Sequence, residues 1–121
     1  MTEIQNHKQY DLEDRTLAFA KKTRLFVKKI SKITSNFEDG KQVIRSSGSV
    51  GANYIEANEA LSKKDFVMRI KISRKEAKES RFWFNLIDTG DDQFLDRERL
   101  DLIKESEELM KIFSAIMRKS E

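Results

Sequence analysis

The stretch Arg45-Ser46-Ser47-Gly48-Ser49-Val50-Gly51-Ala52-Asn53-Tyr54-Ile55-Glu56-Ala57-Asn58-Glu59-Ala60-Leu61 decides the fold. Val43, Ser47, Val50, Tyr54, Ala57 and Leu61 recur at alternating steps of four and three, the period of a helix with one face in a core. Two glycines interrupt the pattern, and each costs about 1 kcal/mol relative to alanine inside a helix. Their presence therefore needs a packing reason. Ile44, Gly48, Gly51 or Ala52, and Ile55 share a second face and form a nearly flat strip, on which another helix can come unusually close. The spacing leaves open whether that helix belongs to the same chain or to a neighbouring copy.

The same period extends to both sides. Upstream, Phe19, Phe26, Ile30, Ile33 and Phe37 form a seam, with Ser35 to Gly40 closing a turn in which Ser35 or Asp39 caps the next helix. Downstream, Ser62 and Asp65 have the spacing of a capping box and Leu61 and Phe66 that of a hydrophobic staple, so a tight hairpin follows. Phe66, Ile70, Ser73, Ala77, Ser80, Phe84 and Ile87 line a third helix, which Thr89-Gly90-Asp91-Asp92 stops. Leu102, Ser106, Leu109, Phe113 and Ile116 line a fourth. The reading is an all-α, single-domain, antiparallel up-down-up-down four-helix bundle, with helices at about 11–34, 39–61, 63–89 and 92–119 and a loose start at 1–10. Ser47, Ser73 and Ser80 are small residues that fill close helix approaches, their hydroxyls bonded to preceding carbonyls. Ile72 and Trp83 make a second apolar line on the third helix, which suggests self-association.

Composition agrees with this reading. The 121 residues contain no proline, four glycines and 37% charged side chains, which favours long helices with solvated outer faces. No cysteine is present, so disulfides and thiolate chemistry are excluded, in keeping with a cytoplasmic location. No apolar run is long enough for a membrane span, and no signal peptide is read at the start. The net charge of +3 hides a strong polarity. Between Arg15 and Arg45 nine basic residues face two acidic ones; between Lys63 and Arg81 eight face three; between Asp88 and Glu108 nine acidic residues face three basic. Such separation steers polyanions or lets acidic and basic faces of subunits meet.

From Val43 to Trp83 the chain resembles the small four-helix-bundle proteins of the 23S rRNA intervening-sequence family, sometimes called S23 ribosomal proteins. The resemblance rests on Asp11-Leu12, Arg45, Ser49, Asn53-Tyr54-Ile55-Glu56, Ser62, Asp65-Phe66 and the stretch Lys75-Glu76-Ala77-Lys78-Glu79-Ser80. The first turn lacks the family's usual proline, and the aromatic residue common early in the first helix is absent. The resemblance implies a bundle that assembles as a ring, typically a homopentamer, with a role on nucleic acid and no enzymatic activity. Some members are encoded inside 23S rRNA genes, and a related barrel-shaped group assists reverse transcriptases.

Among residues that carry chemistry, basic stripes are foremost. Lys21, Lys22, Arg24, Lys28, Lys29 and Lys32 cluster on the first helix, and Lys64, Lys71, Arg74, Lys75 and Lys78 share a stripe with Val67 and Phe82 on the third. Such stripes neutralise phosphates, and they equally describe solvated faces that keep a helix in water. With no base-reading motif, any binding is backbone-directed. Glu56, Glu59, Glu76 and Glu79 form Glu-x-x-Glu pairs of the kind that hold di-iron sites, but the pairs are offset by roughly 10 Å along the hairpin at 1.5 Å per residue. The sole histidine, His7, lies far from them in sequence, so neither a metal site nor a cofactor is expected. Ser46, Ser47 and Ser49 lack a base for nucleophilic catalysis, and the glycines match no phosphate loop. The expected protein is a non-enzymatic homo-oligomer that binds RNA or DNA phosphates. The alternative is a structural oligomer or accessory subunit without nucleic-acid contact; a membrane or small-molecule role is not expected.

Overall fold

A computed structural model describes the backbone of residues 2–121 and the side chains from Leu12 onward. Four helices, α1 (Thr2–Lys29), α2 (Thr34–Asn58), α3 (Lys63–Leu86) and α4 (Gln93–Ser120), form one four-helix bundle with no strand among the described residues. The loose start expected at 1–10 lies outside the residues whose side chains are described. Each helix packs on the next in chain order and α4 closes on α1, so α1 and α3 stand on a diagonal. The α2–α3 and α3–α4 seams are extensive, and the α1–α4 seam is the thinnest.

The core follows the predicted seams. Phe19, Phe26, Val43, Val50, Ile70, Phe84, Leu109 and Phe113 are fully enclosed. Phe84 meets both Phe19 and Phe26 edge-on at 6.2 Å between ring centres, which links α3 to α1 across the diagonal. Where α2 and α3 approach most closely, serines replace larger residues. Ser46 and Ser80 share a hydrogen bond of 2.8 Å, and Ser80 Oγ also donates to the Glu76 carbonyl. Ser47 Oγ donates to the Ile44 carbonyl, whereas Ser73 Oγ reaches across the seam to the Val50 carbonyl at 2.9 Å instead of bonding its own helix. Buried hydroxyls thus keep partners while the helices stay close.

The first turn departs from the sequence reading. α1 ends at Lys29, residues 30–33 make the connection, and α2 starts at Thr34 with Ile33 as an extended N-cap that makes no side-chain cap bond. Ser35 and Asp39 therefore cap nothing, and Ile33 and Phe37 leave the expected core seam at 42% and 60% exposure. A buried polar group explains the shift. Asn36 is 2% exposed; its Nδ2 donates to the carbonyls of Ser31 at 3.0 Å and Asp88 at 2.8 Å, and its Oδ1 accepts from the Asp88 amide at 2.9 Å. Leaving these groups unpaired would cost more than exposing two apolar side chains partly covered by their neighbours. The bonds tie the α1–α2 turn to the α3–α4 turn at one end of the bundle. Phe37 instead sits under the Lys41 ammonium, 4.7 Å from its ring centre.

At the other end α2 stops at Asn58, so Leu61 drops out of the seam and is 98% exposed. The expected Leu61–Phe66 staple does not form. Ser62 still caps α3 by accepting from the Asp65 amide at 3.1 Å. Asp92 caps α4 by accepting from the amides of Phe94 and Leu95, after Gly90 and Asp91 reverse the chain at φ of 65° and 63°.

Candidate nucleic-acid interface

The glycine strip packs within the chain. An added Cβ at Gly51 would lie 2.9 Å from Thr16 Oγ1 and 3.1 Å from Thr16 Cβ, so α1 is seated directly on the α2 backbone there. At Gly48 the nearest atoms belong to the Arg24 guanidinium at 3.5 Å and 3.9 Å. The strip's edges remain open: Ala52 is exposed, Ile55 is 50% exposed, and Ile44 is half-buried. Of the second apolar line, Ile72 is half-buried and Trp83 packs against the core of its own chain. Packing within the chain thus covers part of the Trp83 ring.

The α1 basic cluster divides into two lines. Arg15, Lys22 and Lys29, seven residues apart, face the acidic side of α4. Arg15 Nε meets Glu105 at 2.7 Å and Lys29 Nζ meets Glu98 at 2.5 Å, while Lys22 lines the groove between them, which Asp101 also lines. The Glu105 hydrogen bond and charge hold the Arg15 pKa above its ordinary value. The charge polarity along the sequence is therefore spent partly inside the chain, where Lys29, still half-exposed, is paired with Glu98. Lys21 and Lys28 are exposed, Leu17 and Lys21 line a groove against the α2 glycine strip, Leu25 lines the α4-facing groove, Arg24 donates to the Ala20 carbonyl beside Gly48, and Lys32 lies in the turn beyond the helix.

The α3 cluster behaves differently. Lys64, Lys71, Lys75 and Lys78 are all exposed, and helical spacing places them within an arc of about 60°. No carboxylate of the described residues lies within ion-pair distance of them. Arg74 turns toward α4 and reaches Ser114 Oγ at 3.4 Å. The acids of α3 do not interrupt the stripe, because Glu76 and Glu79 face α2, where Arg45 lies 3.8 Å from each.

The residues of the family-like motif clamp this hairpin. Besides Arg45, Asn53 accepts from Arg69 Nη1 at 3.0 Å and donates to the Ser49 carbonyl at 2.9 Å. Ser62 and Asp65 form the cap, and Phe66 packs against the core, while Glu56 is exposed. Glu76 is 8% exposed and its Oε1 has no hydrogen-bond partner, Arg45 being beyond hydrogen-bond reach. Burial first, then the adjacent Glu79, raise its pKa, against the pull of Arg45 and Lys75. A raised carboxylate pKa adds stability below the unfolded value, and that contribution is lost as pH rises through the folded value. Glu76→Gln is accordingly expected to be more stable than the parent at pH 7, with the difference vanishing below the ordinary glutamate range. Thermal melts across pH read it; a parent that outlasts the variant at pH 7 would contradict it.

Sequence reasoning missed Asn36 and the α1–α4 clasp. Asn36 carries no local signal, since its partners lie 5 and 52 residues away. The clasp had one, basic residues seven apart at Arg15, Lys22 and Lys29 and acidic residues three and four apart at Glu98, Asp101 and Glu105. Among the described residues no group of three or more His, Cys, Asp or Glu could hold a metal ion, and no helix is long and apolar enough to cross a membrane.

These features define a four-helix bundle whose polar chemistry lies on its outer helix faces and in the clamps between neighbouring helices. The chain belongs to the 23S rRNA-intervening sequence protein family, whose model matches residues 15–115. It is similar to a crystal structure of a protein with unknown function from the S23 ribosomal protein family, from Bacteroides thetaiotaomicron VPI-5482. The two share 28% identity and a TM-score of 0.79 over 92% of this chain and 98% of that one. No curated protein matches the chain.

Proposed function

We propose that the protein is a non-enzymatic, cytoplasmic homo-oligomer, a pentamer by the family resemblance, that binds RNA or DNA through phosphate contacts on its basic helix faces. The observation that carries this reading is the α3 stripe of Lys64, Lys71, Lys75 and Lys78, exposed and without carboxylate partners among the described residues. Ammonium groups so placed release counterions when they meet phosphates. Because α1 and α3 stand on a diagonal, the Lys21 and Lys28 line faces away from the α3 stripe. One copy offers a nucleic acid a single stripe, and several copies in a ring would join stripes into a multivalent surface.

Filter binding across a salt series tests this. Four phosphate contacts per copy predict a slope of about −3 in log K against log salt, hence an affinity loss of about 50-fold between about 50 and 200 mM. Lys71→Glu with Lys75→Glu should weaken binding further at every salt concentration. Affinity indifferent to salt, or none at low salt, would sink the reading. A second reading, a structural oligomer without nucleic acid, is favoured by Leu17, Leu25, Ile55 and Leu100, each exposed by half or more. Light scattering that gives multiples of 14.2 kDa, together with no binding at low salt, would select it.

A further inference from the structure

The α3 stripe does not end in lysines. Phe82 lies on the same line, four residues after Lys78 and seven after Lys75, and is 57% exposed. From Lys64 to Phe82 the line runs about 27 Å along the helix at 1.5 Å per residue. The Phe82 ring is held edge-on by Trp83, with 5.1 Å between ring centres and 75° between planes, and Trp83 is itself packed against the core. An exposed phenylalanine that is immobilised from behind loses little freedom when a flat ligand covers it. Duplex nucleic acid has no use for such a ring on a helix face, because its bases are paired and stacked. A single strand does, since every unpaired base has a face to stack while its phosphates follow a cationic track.

We infer that the outer face of α3 binds single-stranded RNA or DNA, with Phe82 as the platform on which one base stacks and Lys64, Lys71, Lys75 and Lys78 as the track for the backbone. This rests on the phosphate-binding reading above and adds the form of the ligand and the residue that selects it. The α1 line offers leucines, Leu17 and Leu25, in place of an aromatic ring, and so lacks the stacking half of the arrangement. Trp83 is the only tryptophan of the chain and reports on the site directly.

The test uses oligo(dT) and oligo(rU) of ~10 nucleotides, within the length such sites occupy, beside a mixed-sequence duplex, all at low salt with the full chain. Anisotropy gives affinity and Trp83 emission gives proximity. Both single strands should change Trp83 emission and the duplex should not. Phe82→Ala should weaken single-strand binding by about 5- to 150-fold, the range of one lost base stack, with duplex binding unchanged. Phe82→Tyr should retain the parent affinity. Because Phe82 is exposed, the alanine variant keeps its fold, which circular dichroism checks. Single-strand affinity unchanged in Phe82→Ala, or an equal loss for duplex, would overturn stacking while leaving phosphate binding intact. A Phe82→Ala variant of altered mass in light scattering would make the ring a subunit contact, and also overturns stacking. Absence of binding to all three probes would instead remove the phosphate-binding reading on which this one stands.

Discussion

Gly51→Leu is expected to lower the unfolding free energy by about 3 kcal/mol, the upper end of what overpacking a tight contact costs. Any Cβ at this position meets Thr16, and Thr16 has nowhere to go. It is 1% exposed, and its Oγ1 donates to the Glu13 carbonyl at 3.0 Å, so rotating it away would sacrifice that bond. Relief has to come from moving α1 bodily off α2. Gly48→Ala makes the informative contrast. There the new methyl would touch a flexible guanidinium at ordinary van der Waals distance, and the gain in helix propensity of about 1 kcal/mol should appear as added stability. Two glycines three residues apart are thus expected to respond with opposite signs. For a domain of this size about 1 kcal/mol moves Tm by about 4 °C, so thermal melts separate the two outcomes. An unshifted Tm for Gly51→Leu would mean that α1 is not seated on that glycine.

Phe84→Ala should cost about 3 to 5 kcal/mol, a large share of the roughly 6 to 18 kcal/mol expected for a chain of 121 residues. Phe84 is fully buried and is the aromatic hinge between α3 and both Phe19 and Phe26 of α1. Little else holds α1 on its far side. The α1–α4 seam is the thinnest of the bundle, and the ion pairs Arg15–Glu105 and Lys29–Glu98 that close it are partly exposed, where such pairs contribute little. Removing the ring should therefore loosen α1 before the α2–α3 hairpin. Hydrogen exchange in the variant is expected to lose protection along the described part of α1 first, with α2 and α3 following only at global unfolding. Uniform loss of protection across all four helices, or a cost below about 2 kcal/mol, would show that α1 is held by something other than this cluster.

Much of the architecture is legible in the residues. Ile70, Ser73, Ala77, Ser80 and Phe84 sit on one helical line, and all five are buried as that line requires. The hairpin after α2 is legible because Ser62 and Asp65 are three residues apart and interact locally. The first turn is not. The apolar period runs smoothly through Ile30, Ile33 and Phe37, and only the distant Asp88 backbone reveals that Asn36, not Phe37, faces inward. The candidate interface divides the same way. Sequence marks both basic clusters, yet it treats Lys29 and Lys71 alike, while the fold sets one against Glu98 and leaves the other in solvent.

By itself, then, the sequence determined four helices, their antiparallel order, the faces they bury and the family they belong to. The helices, their order and their buried faces follow from periods and caps spanning a few residues, and the family from the motif residues between Arg45 and Phe66. The tertiary structure decided what each face meets: Thr16 over Gly51, Glu105 at Arg15 ninety residues away, Arg45 drawing Glu76 and Glu79 off the lysine stripe. A helical period says which side of a helix leaves water, but the choice of partner is a comparison of packing and charge between segments far apart in the chain. It exists only once the helices are side by side.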